Sequence, residues 1–171
     1  MIDKNFFSRS AEIVARELLG KVLVVGNRKS RIVETEAYFG SEDPASRACQ
    51  NGDLRATMLS GGGNILVYGV HNSWMLNFVT GEEGGAQAVL IRAVEPLNFE
   101  EKCSGPGLLT RALGIDKNFH KKSVFDEGFF LEEGILDFDI EEDFRIGVRE
   151  DLNVPMRFYI KGNKFVSKLK K

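Results

Sequence analysis

The chain predicts an α+β domain built on a mainly antiparallel sheet, and three observations carry that prediction. Two apolar runs joined by a polar turn mark a hairpin over residues 21–39. Further strand-like runs at 65–68, 74–79 and 88–94 are separated by short turn segments. Only 11–19 and 108–113 show helical spacing between capping residues. No repeat, low-complexity tract or linker interrupts the 171 residues, so one domain spanning 1–171 is expected.

The elements follow in order. Ile13, Val14 and Leu18 recur at helical spacing, a serine can cap the start, and Gly20 suits the stop, which predicts a helix over 11–19. Val22-Leu23-Val24-Val25 and the β-branched start of Arg31–Gly40 flank the turn Gly26-Asn27-Arg28-Lys29. Residues 40–63, with Asp43-Pro44, Asn51-Gly52-Asp53 and Gly61-Gly62-Gly63, read as loop. After the central strands, Ser104-Gly105-Pro106-Gly107 opens a short helix that Gly114 ends. Bare amides at that start make a natural phosphate contact. Residues 120–146 are acidic with short apolar runs. Residues 157–160 and 165–166 across the turn 161–164 predict a final hairpin.

Residues 31–40 say most about chemistry. Strand side chains alternate, so Val33, Thr35 and Ala37 share one face while Ile32, Glu34, Glu36 and Tyr38 share the other. Two carboxylates in register with a tyrosine suit a hydrolytic site, in which a carboxylate activates water beside an aromatic wall. The plain alternative is that both glutamates lie on a solvated sheet face. A third possibility pairs Glu34 with Glu36 as a glycosidase dyad, since alternate strand positions stand about 6.5–7 Å apart. Both carboxylates would then point the same way, however, and would not flank a sugar.

Composition narrows the classes. With 43% hydrophobic and 28% charged residues the chain predicts a soluble globular protein, and no apolar run approaches the ~20 residues of a membrane span. Met1-Ile2-Asp3-Lys4-Asn5 lacks the basic and apolar regions of a secretory signal. Cys49 and Cys103 have no CxxC spacing and His71 and His120 stand apart, so free thiols and no metal site are expected. A net charge of −2 conceals segregation: residues 126–151 hold eleven acids against Arg145 and Arg149. Arg157, Lys161, Lys164, Lys168, Lys170 and Lys171 follow in a tail with no acid, which permits a basic binding face on an acidic protein.

Taken together, Leu18–Lys21, Arg31–Gly40, Glu42–Ser46, Val67-Tyr68 with Asn77, Val89–Leu97, Gly105-Pro106-Gly107 with Ala112–Ile115, Arg145–Val148 and Pro155–Tyr159 resemble the alkyladenine (3-methyladenine) DNA glycosylase family. The pieces run in the family's order from about residue 18 to residue 166. The resemblance implies a curved sheet flanked by helices, and a monomeric, intracellular, DNA-associated repair enzyme that needs no cofactor. Its partner would be double-stranded DNA containing damaged purines. The enzyme flips the damaged nucleotide out of the stack and hydrolyses its N-glycosidic bond.

Carried over residue by residue, the resemblance makes Glu36 the general base. Arg92 orients Glu36 and the water, and the carbonyl of Val148 is a further water contact. Tyr38 and Tyr68 match aromatic walls for an electron-poor cationic base. One alignment makes His71 the wedge in the vacated stack, whereas another gives that role to Tyr68. Asn77 matches an asparagine that screens against the guanine amino group. Two departures stand out. Arg47 takes the place of a base-reading histidine, and as a donor-only cation it is expected to turn outward. Leu108 stands where a phosphate-binding lysine is common. A catalytically weak nucleic-acid or base-binding module of the same fold is the alternative function.

Overall fold

The computed structural model describes residues 2–168, so Lys170 and Lys171 of the basic tail lie outside the described residues. α1 (Lys4–Phe7) is one turn capped by the Asp3 side chain and delivers Phe6 and Phe7 to the core. α2 (Ala11–Leu18) starts at Ser10, whose hydroxyl accepts from the Ile13 N–H, and buries Ala11, Val14, Ala15 and Leu18. Gly20 ends the corner at φ +84, and a Cβ there would lie 2.3 Å from the Ile135 carbonyl oxygen. Only glycine therefore fits.

β1 (Val22–Val25) and β2 (Arg28–Tyr38) form the expected hairpin, but Val25 already pairs with Arg28. The turn is just Gly26-Asn27, two residues shorter than the sequence suggested. α3 (Asp53–Met58) occupies the stretch expected to be loop. β3 (Ile65–Val70), β4 (Ser73–Thr80) and β5 (Gln87–Pro96) meander, followed by α4 (Pro106–Leu113), which Gly114 closes in the left-handed conformation. β6 (Phe129–Glu132), β7 (Ile140–Asp143) and β8 (Arg157–Ile160) complete the set.

Every strand pairing is antiparallel, in the order β3-β4-β5-β2-β1-β6, with β8 joined to both β2 and β7. The class is α+β, as expected. The expected partner of β8 is wrong: Phe165-Val166 forms no strand, and β8 pairs instead with the acidic segment 140–143 and with β2. Burial explains the choice, because pairing on β2 covers Phe158, which is fully buried, whereas a two-stranded terminal hairpin would cover little.

β2 is the organising strand. Its one edge follows β5 from Ser30 to Tyr38, and its other edge serves β1 at 28–31 and then β8 at 34–36. The register with β5 is interrupted between Ile32 and Thr35, at the point where the sheet forks. Such an irregularity bends a strand and re-aims its side chains. α2 backs this strand, with the Thr35 hydroxyl donating to the Ala15 carbonyl at 2.8 Å. Phe7 meets Phe78 edge-on at 5.9 Å and Phe78 meets Phe129 at 5.9 Å, tying α1, β4 and β6 into one core. Burying each such ring is worth about 2–3 kcal/mol against the entropy of ordering it.

Candidate active site

The face of β2 opposite Thr35 carries Glu34, Glu36 and Tyr38, and it is not solvated. Glu34 and Glu36 are both 0% exposed, which overturns the solvated-face alternative. Glu36 Oε1 accepts from the Tyr38 hydroxyl at 2.9 Å and from Arg92 Nη1 at 3.4 Å. Its Oε2 accepts from the Ile146 N–H at 2.7 Å. Arg92 reaches both carboxylates because it lies on β5 between Ile91 and Ala93, which pair opposite Thr35 and Glu34. Its Nε stands 3.5 Å from Glu34 Oε1.

Burial raises the Glu36 pKa above the ordinary carboxylate value, and the charge of Glu34 adds to the rise. Arg92, the Ile146 N–H and the Tyr38 hydroxyl work against it. Burial and the neighbouring Glu36 charge push Tyr38 well up, so its phenol keeps the proton that it donates. A buried carboxylate with an elevated pKa and three fixed donors is the arrangement expected of a positioned proton acceptor.

Tyr68, half-buried on β3, is raised by burial as well, while Arg47 and Asn77 hydrogen bonds oppose the rise. Asn77 is buried on β4 and donates to the Leu66 carbonyl at 3.2 Å. Tyr38, Tyr68, Asn77, Arg92 and Glu36 thus gather at one place, as the sequence suggested. His71 does not join them. It sits with Asn72 at the exposed tip between β3 and β4, both at positive φ (47° and 61°), the geometry of a type I′ turn. Val148 is half-buried on the loop after β7, two residues beyond the N–H that bonds Glu36.

Arg47 departs from expectation. The residue is exposed, yet its guanidinium carbon lies 4.6 Å from the Tyr68 ring centre, at the rim of the site. A planar cation gains more over a π-face than in open water, and this overrides the argument from repulsion. Arg157, counted above with the basic tail, is buried and forms ion pairs with Glu34 at 3.3 Å and Asp143 at 2.9 Å. It therefore offers no charge to a binding face.

Sequence reasoning missed the residues that fasten the loop 144–151. Arg145, fully buried in its side chain, reaches Asp43 at 2.7 and 2.8 Å, Asp151 at 2.8 Å and the Ala37 carbonyl at 3.1 Å, and it stacks over Tyr38 at 4.5 Å. Burial works to raise Asp43, yet hydrogen bonds from Arg145, the Phe39 N–H and the Ala45 N–H hold its carboxyl below the usual range. The acidic stretch thus supplies Arg145 and Ile146 to the site. Asp43 and Arg145 are 102 positions apart, and no local spacing announces such a pair. Cys49 and Cys103 are both free.

The Glu34–Glu36 dyad has no support in this geometry. Glu34 is fully enclosed, and its oxygens are occupied by Arg157 and by the Ser167 N–H (2.7 Å) and hydroxyl (2.9 Å).

Comparison with known proteins finds relatives over nearly the whole chain. The model of the methylpurine-DNA glycosylase family matches residues 5–164. A protein of Aeropyrum pernix, provisionally named a 3-methyladenine DNA glycosylase, is 42% identical over 98% of this chain and 93% of its own length. Similarly named proteins are 38% identical in Legionella pneumophila (98% of each chain) and 41% identical in Borreliella afzelii (98% of this chain, 100% of the relative). With a match of this extent, the chain belongs to the methylpurine-DNA glycosylase family.

Proposed function

We propose that this protein, acting as one domain, hydrolytically excises alkylated purines such as 3-methyladenine from duplex DNA. The carrying observation is Glu36, buried, raised in pKa and held by Tyr38, Arg92 and the Ile146 N–H. In the reaction Glu36 takes a proton from water as the water oxygen bonds C1′ of the flipped nucleotide. The electrons of the breaking N-glycosidic bond pass to the purine, whose positive charge makes it a good leaving group. Arg92 fixes the carboxylate, and the carbonyl of Val148 is the further water contact.

Tyr38 and Tyr68 stack the base, Asn77 screens its edge, and His71 at the hairpin tip fills the vacated stack. Tyr68 is assigned the wall and not the wedge because it is half-buried within β3 beneath the Arg47 guanidinium, whereas His71 stands at the exposed tip. Glu36 has no contact with solvent in the free protein, so a base and a water reach it only after the site has opened.

The protein is proposed to act as an intracellular monomer on DNA, and no helix among the described residues is long and apolar enough to cross a membrane. The test is release of free base from methylated duplex DNA. Glu36→Gln is expected to bind damaged DNA yet lose about 10²–10⁴-fold in release rate, since an amide accepts no proton. Near-normal turnover of Glu36→Gln contradicts the assignment, and binding without any release by the wild type favours the binding-module reading. With water as nucleophile the strand is left intact and abasic, and borohydride is expected to trap no protein–DNA adduct.

A further inference from the structure

Glu34 is fully buried and accepts three hydrogen bonds, as many as Glu36, and the chemistry above does not use it. Its Oε1 accepts from the Ser167 hydroxyl at 2.9 Å and Arg157 Nη1 at 3.3 Å, its Oε2 accepts the Ser167 N–H at 2.7 Å, and Arg92 Nε stands 3.5 Å from Oε1 as an ion pair without a hydrogen bond. Full burial of an anion is costly, and these partners offset that cost. Two of them lead on to Glu36. Arg92 is shared directly, Nε towards Glu34 and Nη1 towards Glu36. Arg157 uses its Nε to hold the Phe144 carbonyl at 2.8 Å, two residues before the N–H that bonds Glu36.

We propose that Glu34 is a positioning residue for Glu36, seated by the C-terminal segment through Ser167. The inference rests on the hydrolytic reading of Glu36. Phe165 and Val166 pack against the core and bring Ser167 to Glu34, so the segment expected to be a terminal strand is instead an anchor. Glu34 divides Arg92 between two carboxylates and leaves Glu36 basic enough to take a proton. Through Arg157 it also holds the loop whose amide grips Glu36. A carboxylate displaced by a fraction of an ångström no longer lines up with water and C1′.

The two ends of this arrangement shift Glu36 in opposite directions, and that separates positioning from simple packing. Glu34→Gln removes the neighbouring negative charge and releases Arg92 to Glu36. The acid limb of the pH–rate profile is then expected to move to lower pH, with release slowed about tenfold to a hundredfold. Ser167→Ala removes one donor from Glu34, which draws Arg92 away from Glu36. The acid limb should then move to higher pH, with a smaller loss of rate.

The measurement is single-turnover release of 3-methyladenine from methylated duplex DNA across pH, normalised to folded protein, for wild type and both variants. Should Glu34→Gln fold poorly, the upward shift in Ser167→Ala carries the test alone. Acid limbs that stay in place, or that move in the same direction in both folded variants, overturn the inference while leaving the hydrolytic reading intact. Absence of release by the wild type overturns both.

Discussion

Burial raises Glu36, and that has a consequence for stability as well as for rate. A carboxyl whose pKa is higher in the folded state than in the unfolded chain favours the protonated native form. The stability it contributes is fully present below the unfolded value, and it is lost as pH rises through the folded value. Glu36→Gln cannot ionise, so it is expected to be more stable than the wild type at pH 7, the gap closing towards about pH 4. Urea unfolding at both pH values checks this, and a less stable variant at pH 7 would contradict it. Arg47 carries a second expectation. Its stacking on Tyr68 is worth about 0.5–1 kcal/mol at an exposed site and opposes entry of a base. Arg47→Ala should therefore tighten binding of lesion-containing DNA about two- to fivefold, more for cationic 3-methyladenine than for neutral hypoxanthine. Selective loss of 3-methyladenine release in that variant would mean that Arg47 reads the base. Glu36, Tyr38 and Arg92 were legible because each sits in a regular strand with a family-like neighbourhood. The pose of Arg47 over Tyr68 was not, since residue type alone gives no account of which ring lies beneath a guanidinium.

Among the elements, the loop 144–151 owes its place to one ion-paired arginine. Removing Asp43 takes away the two-pronged partner of the buried guanidinium and leaves it Asp151 alone, at a cost of about 1.5–3 kcal/mol. Asp43→Ala is expected to destabilise the protein by roughly that amount in chemical unfolding at pH 7, with slower base release, because the loop bearing Ile146 is bolted to β2 through Asp43. The Asp43 carboxyl is depressed in the folded state, so its contribution is present above the unfolded carboxylate range and is lost as pH falls through the folded value. The mutant penalty should accordingly shrink in acid, and a penalty that is the same at low pH would contradict the assignment. The β1–β2 hairpin, the β3–β4–β5 meander, α2 and α4 could all be read from periodicity and caps. β7 could not: Ile140-Glu141-Glu142-Asp143 has the composition of solvated coil, and it becomes a strand only because β8 offers it an edge. β8 was recognised as a strand but given the wrong partner, since local pattern does not say which edge covers Phe158.

Over the whole molecule the two blocks of charge fold back on the rest of the chain. The acids of 126–151 meet Lys21 through Glu133, Arg16 through Glu142, Lys29 through Glu132 and Arg157 through Asp143. Lys161, Lys164 and Lys168 of the basic tail remain exposed. DNA affinity is expected to fall steeply with salt despite a net charge of −2. With about four phosphate contacts the loss between ~50 and ~200 mM salt would be about a hundredfold, read from fluorescence anisotropy. Salt-insensitive binding would contradict a phosphate-held complex. The bond between Glu34 and Ser167 also spans 133 positions. A chain is synthesised from its N-terminus, so β2 with both glutamates exists long before Ser167 does. The charged layer behind Glu36 can close only once Ser167 has been made. A chain truncated before Ser167 would keep every strand yet lack that closure, which makes a residue beyond the last strand part of the support of the site.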